Sequence, residues 1–406
     1  SIRHQLDLIE AQQCQNASSY TQCSLNPFCG CLQLATNSSL SICASLHLTC
    51  SSLAACANNN QMCYQPNYVR VKHEKCHKSP LCYPLDLASQ IICPSIRTTT
   101  TPSISEDGIC ASATWNQNGI TVAGGNGQGS ELNQLDYPLG LFRNEDDAIY
   151  VADSFNHRIV KWLPRMSTGQ IVAGGKYEGN SNEQLNDPSS VVIDKNGTMF
   201  ICDRNNKRVQ QWFQNANSGQ TLISNISCWG LAMDSEGSLY ISSDDNRVTK
   251  WPSDQVVAGG QGTGNGLNQL SKPNGLFVDR NQSLFIADSE NHRIMKWPMN
   301  AKEGIVIAGG NGFGNASNQL KRPLAVTVDQ MGTMYIVEYD GDRVTRWFQG
   351  AQSGFIVIGE GGRGNGANQL NDPTDVTLDP QGNLYVADYA NSRIQRFNID
   401  KSSCMK

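Results

Sequence analysis

One short phrase recurs six times in this chain. Its clearest copy is Asp388-Tyr-Ala-Asn391-Ser-Arg393-Ile-Gln-Arg-Phe397, preceded by Asn383-Leu-Tyr-Val-Ala. Other copies run Tyr150 to Trp162, Phe200 to Trp212, Tyr240 to Trp251, Phe285 to Trp297 and Tyr335 to Trp347. The arginine marks the period, at 158, 208, 247, 293, 343 and 393, in steps of 50, 39, 46, 50 and 50 residues. Each unit joins short runs rich in β-branched and aromatic residues, bounded by Gly, Asp, Asn or Pro. That is the pattern of strands linked by tight turns. A fourth strand ends in Ala-Gly-Gly, as at Gly175 and Gly310. Four antiparallel strands at such a period predict a mainly β fold, a six-bladed propeller.

The register also predicts how the ring closes. An Ala-Gly-Gly strand at 120–125 precedes the first unit, and the sixth unit lacks one of its own. The N-terminal strand should complete the last blade, leaving no open sheet edge. Cys110 lies just before that strand and Cys404 just after its expected partner, so a Cys110–Cys404 bond should staple the ring. Cys202 and Cys228 fall at ends of neighbouring blades that face the same side, which predicts a second bond.

Eleven of the fifteen cysteines lie between Cys14 and Cys93. This density predicts a small disulfide-rich N-terminal domain, residues 1–96, folded in an oxidising compartment. Ile2, Leu6 and Ile9 are spaced for a short helix over 1–13. The run Cys23-Ser-Leu-Asn-Pro-Phe-Cys29-Gly-Cys31 resembles the small cysteine-rich modules beside propellers in semaphorins and integrins. Residues 97–109 read as a Thr/Pro/Ser linker before the propeller at 110–406. Six glycosylation sequons, at Asn16, Asn37, Asn196, Asn225, Asn281 and Asn315, agree with secretion. Ser1 is read as the start of a mature chain whose leader has been removed. The net charge of −5 argues against a nucleic-acid partner, and no apolar run reaches a membrane span.

The units resemble the NHL-repeat family. Its pattern, Pro-x-Gly-Leu, Asp, Gly-x-Leu-Tyr-Val-Ala-Asp and Asn-x-Arg-Ile, is met at Pro273, Gly275, Asp279, Asp288, Asn291 and Arg293, and the resemblance spans residues 120 to 400. It implies a propeller. It leaves function open, because such propellers include ligand-binding, RNA-binding and structural modules and a zinc lyase.

Several motifs invite a chemical reading. Asp-x-x-Asn-x-Arg recurs in four blades and could be a ring of charged sites; equal occurrence favours a turn clasp instead. Blade three shortens this turn, and blade five replaces it with Glu338 and Gly341. The glycine-rich loops, such as Gly309-Gly-Asn-Gly-Phe-Gly, lead to a Pro and a strand rather than a helix, so they read as blade links, not phosphate cradles. Blade three lacks such a loop, which leaves room for a notch beside Trp229. His73-Glu-Lys-Cys-His77 matches a zinc-protease motif, but Cys76 and Pro80 spoil a metal-binding helix. His157 and His292 occupy turns and are read as solvated surface residues rather than metal ligands. Trp162, Trp212, Trp251, Trp297, Trp347 and Phe397 should fill the gaps between blades.

The repeat breaks just after the proline of strand one, or after Cys228 in its place. Leu139, Ser189, Trp229, Asn274, Leu324 and Thr374 are unlike one another. The next position is small except at Asp375. These residues should line one mouth of the channel. The expected function is a secreted, non-catalytic glycoprotein that binds other extracellular proteins or glycans, with self-assembly into a matrix or filament open to it. An extracellular metal-dependent lyase and a soluble peptide- or glycan-binding ectodomain are the alternatives. No catalytic residue, metal or other cofactor is expected.

Overall fold

The structure is a computed structural model. It describes residues 109–405 and, earlier in the chain, the backbone of six short strands. The chain divides into two compact units near residue 102. In the first, Gln13–Cys14, Cys29–Leu34, Ser41–Ser45, Ala54–Ala55, Tyr68–Lys72 and Leu81–Pro84 form one antiparallel sheet. Of these, the strand from Tyr68 shows the plainest alternation, Tyr-Val-Arg-Val; Ser and Cys obscure the pattern in the others. The helix expected over 1–13 and the linker expected over 97–109 lie outside the described residues except at their last positions, where Gln13 belongs to a strand and Ile109 is buried in the propeller core. The His73–His77 motif, Asn16, Asn37 and the pairing of the first eleven cysteines also lie outside them.

The second unit is the six-bladed propeller. Each blade is a four-stranded antiparallel sheet. Blade four is representative: Pro273–Val278, Leu284–Asp288, Arg293–Trp297 and Ile305–Gly309, in that order outward from the axis. Blade six takes Pro373–Leu378, Leu384–Asp388 and Arg393–Phe397 from the C-terminal end and Ile120–Gly124 from the N-terminal side. Cys110 and Cys404 are bonded, and beside them Thr114–Trp115 pairs with Ile399–Asp400. The second bond, Cys202–Cys228, ties blade two to blade three.

The ring coheres because the second and third strands face neighbouring blades with apolar side chains. Trp162 packs among residues of blades one and six, and Trp347 among residues of blades four and five. At the closure the basic residue before the third-strand tryptophan has a different part. Arg346 is 1% exposed and donates to the carbonyls of Cys110, Ala111 and Ala113. Its guanidinium also lies 5.2 Å from the Trp115 ring and 4.7 Å from Phe348. The N-terminal segment is thereby anchored to blade five.

The repeated phrase is a clasp. In blade four the Arg293 Nε donates to Asp288 Oδ2 at 2.7 Å. Its other two nitrogens donate to the carbonyls of Asn265, Gly266 and Gln269, in the glycine-rich loop that enters the blade. Asn291 bridges Asp288 and the Gly264 carbonyl, and Asp288 Oδ1 accepts the Ser271 amide. Burial pushes the Asp288 carboxyl up, against these donors and the arginine. Blades one, two and six repeat the arrangement around Asp153, Asp203 and Asp388. In blade five Glu338 takes the Asp position and also accepts the Thr345 hydroxyl, with a more extended backbone than its counterparts. In blade three Arg247 pairs instead with the exposed Asp245.

The two turn histidines are better tied in than a solvated surface reading allows. His157 Nδ1 accepts the Asp187 amide at 3.1 Å, and His292 Nδ1 accepts the Arg322 amide at 3.3 Å. Each thus joins its blade to the next. Asn246 and Asp342 do the same with side-chain oxygens, so the position needs an acceptor rather than an imidazole.

Candidate functional site at the channel mouth

The first strands of all six blades surround the axis and line a cavity of about 260 Å³. Leu139, Ser189, Trp229, Asn274, Leu324, Thr374 and Asp375 all belong to its lining. The physical cause is a bulge. Pro138 pairs with Asp153 and Gly140 with Ala152, so Leu139 has no partner across the strand. Ser189, Leu324 and Thr374 are skipped in the same way. A bulged residue leaves the ladder and its side chain is re-aimed, here at the mouth.

The six are not equivalent. Ser189 and Thr374 are buried, and their hydroxyls donate to the carbonyls of Trp229 and Pro138 in the following blades. They stitch the ring. Asn274 donates to Ser289 Oγ within its own blade. Leu139, Trp229 and Leu324 keep partial exposure. The small neighbours are required by the close approach of the inner strands. A Cβ on Gly140 would come within 2.6 Å of the Ser189 carbonyl, and one on Gly275 within 2.6 Å of the Leu324 carbonyl.

Trp229 does not stand beside an open notch. The Arg204 guanidinium lies 4.2 Å from its ring centroid, and its indole N–H donates to Asp244. Arg204 also pairs with the buried Asp187. A cation stacked on its aromatic face thus lies beside Trp229.

Around the same mouth runs a collar absent from the sequence reading. Tyr137 contacts Phe155 at 4.9 Å and Tyr389 at 4.7 Å, and Tyr389 lies 6.3 Å from Tyr339. Arg322 sits 5.2 Å from the Tyr339 ring and approaches Glu290, which also pairs with Lys272. Aromatic and charged contacts therefore pass from blade one through blades six and five to blade four. Burial, together with the neighbouring Tyr339 and Asp187, raises the Tyr389 phenol to about 12. Asp372 is raised by burial, against the nearby Arg363.

Two repeat positions supply this collar. One is the residue before the strand-one proline: Tyr137, Asp187, Lys272, Arg322 and Asp372, all with positive φ. The other is the first residue after strand two, as at Arg204, Tyr339 and Tyr389. Both vary as freely as the positions after the proline, and that variation was the available signal. The left-handed backbone recurs in five blades, so the turn demands it and no single blade's ligand does.

Four sequon asparagines, Asn196, Asn225, Asn281 and Asn315, are exposed. Among the described residues no three His, Cys, Asp or Glu side chains gather as a metal site. No helix there is long and apolar enough to cross a membrane.

The NHL repeat profile matches residues 185–212 and 370–397, the stretches that carry the clasps of blades two and six. The propeller carries NHL repeats. No curated protein sequence matches the chain. Among solved structures it is similar to a protein of unknown function from Bacteroides thetaiotaomicron, at 14% identity and a TM-score of 0.57, covering 91% of this chain and 87% of that one. An auxiliary nutrient binding protein from Bacteroides ovatus matches at 13% identity and a TM-score of 0.54, over 82% and 89% of the two chains. Virginiamycin B lyase from Staphylococcus aureus matches at 10% identity and a TM-score of 0.46, over 70% and 99%. At these identities the likeness is one of fold.

Proposed function

We propose that this chain is a secreted, non-catalytic binding module whose channel mouth docks an extracellular protein ligand. The collar carries this reading. Tyr, Trp and Arg are the residue types that dominate protein hot spots. Here Tyr137, Tyr339, Tyr389, Trp229, Arg204 and Arg322 are held around one opening by mutual contacts, so little side-chain order is lost on binding. The two propeller disulfides and the four exposed sequons support an oxidising, extracellular setting.

Peptide and glycan arrays probed with the full chain test the reading. A protein-derived ligand whose affinity falls tenfold or more in Tyr389→Ala and Trp229→Ala supports it. A ligand indifferent to both substitutions, or turnover of an amidated peptide by the purified chain, replaces it.

Covalent self-association is a second reading, favoured by one count. Four of the fifteen cysteines are bonded within the propeller, which leaves eleven, an odd number. At least one then has no partner within these 406 residues and is open to bond another chain. A matrix or filament subunit would use such a cysteine. A dimer or ladder on non-reducing gels that collapses on reduction supports this; a monomer with one titratable thiol removes it.

A further inference from the structure

Asp375 is the one ionisable side chain among the residues that line the axial cavity. At its position the other blades carry Gly140, Ser190, Gly230, Gly275 and Ala325. Asp375 Oδ2 accepts the Leu141 amide of blade one at 2.8 Å, and Oδ1 accepts the Val376 amide at 2.8 Å. The first bond stitches blade six to blade one, yet it does not call for a charge. Ser190 makes the same stitch with a neutral hydroxyl, accepting the Leu231 amide at 3.2 Å. An acid in place of Gly, Ser or Ala adds a negative charge to a site that needs none for closure. No lysine, arginine or histidine lines the cavity to balance it.

We propose that the axial channel binds a ligand through a protonated primary amine, with the Asp375 carboxylate as its counter-charge and the neutral channel wall against its aliphatic stem. The chemistry of the lining favours this class. Leu139, Leu324 and Trp229 offer apolar surface, and a long alkylammonium matches that surface with its methylenes while its head reaches an acid. An ammonium carries three donors and no acceptor, so the hydroxyls of Ser190 and Thr377 supply further acceptors in the same cavity. A calcium ion would need six to eight oxygen ligands, typically with several carboxylates, and one carboxylate serves it poorly. About 260 Å³ is small beside the roughly 300–1,000 Å³ of drug-sized sites, which suits a single extended side chain or a small amine. Burial raises the Asp375 carboxyl from 3.8 to about 7, as expected for an acid with no cation at hand. A bound ammonium would bring it down by offsetting the cost of burying the charge.

This proposal goes beyond the collar, since it concerns the channel and holds whether or not the collar binds a protein. The test is thermal denaturation of the full chain at pH 8 with n-butylamine, n-butanol or calcium chloride, on wild type, Asp375→Asn and Asp375→Ser. The serine variant copies the Ser190 stitch, so it closes the ring without the charge. Saturable stabilisation of wild type by n-butylamine, at least tenfold weaker in both variants and absent with n-butanol, supports the proposal. No saturable effect, an equal effect in the variants, or a response to calcium in place of the amine overturns it. An array that returns no collar ligand leaves this titration untouched, so the two readings fail separately.

Discussion

The same arginine of the repeat is buried in one blade and exposed in another, and the two should differ sharply when removed. In blade four the Arg293 and Asp288 side chains are 5% and 0% exposed. Arg293→Met leaves the Asp288 carboxylate buried without its cation and removes donors from three loop carbonyls. Breaking one partner of a buried pair costs about 3–5 kcal/mol. In blade three the Arg247 and Asp245 side chains are 41% and 60% exposed. Arg247→Met should cost about 0–1 kcal/mol, the range of a solvated pair. At roughly 2 °C per kcal/mol for a domain of this size, Arg293→Met lowers Tm by about 6–10 °C and Arg247→Met by about 2 °C or less. Urea denaturation with the disulfides intact measures both. Adding Asp288→Asn to Arg293→Met should recover part of the loss, because the unpaired charge is gone. Equal costs for the two single variants, or a loss below about 1 kcal/mol for Arg293→Met, would refute the clasp.

Two further outcomes follow from the closure of the ring. Asp375 is an acid raised from 3.8 to about 7, so between about pH 4 and pH 7 the native state holds a proton the unfolded chain has released. Stability should fall as pH rises through that window. Asp375→Asn should match wild type near pH 4 and exceed it at pH 8, by at most about 4 kcal/mol, with channel water reducing the figure. A gain at pH 4 in urea titrations would contradict this sign. Cys404→Ser releases a staple across 294 residues and should cost about 3–5 kcal/mol, with early proteolysis in the N-terminal strand of blade six. Unchanged stability and protection would show that the strand and Arg346 hold the ring alone.

The propeller was legible because its rules are local and repeated. Alternating apolar runs and turn residues occur in every unit, Ala-Gly-Gly ends recur at Gly125, Gly175, Gly260 and Gly310, and the missing fourth strand of the sixth unit disclosed the closure. The Asp–Arg clasp was legible for the same reason, since four like copies argue against a single active site. The mouth was read only in part. Leu139, Trp229 and Leu324 stood out at the second position of strand one, but the bulge that re-aims them is a pairing property no single strand displays. Tyr137, Tyr339 and Tyr389 lie far apart in sequence and meet only when blades five, six and one adjoin. Arg346 looked like another basic residue before a tryptophan. Its burial depends on the N-terminal segment that crosses it.

The most direct test of the claim that this chain works where its repeat breaks is one titration series. The best array ligand is titrated against wild type, Tyr389→Ala, Trp229→Ala and Arg247→Met. The account predicts at least a tenfold loss in the two mouth variants and unchanged affinity in Arg247→Met. Unchanged binding in both mouth variants, with loss in Arg247→Met, would place function in the repeated phrase and contradict it.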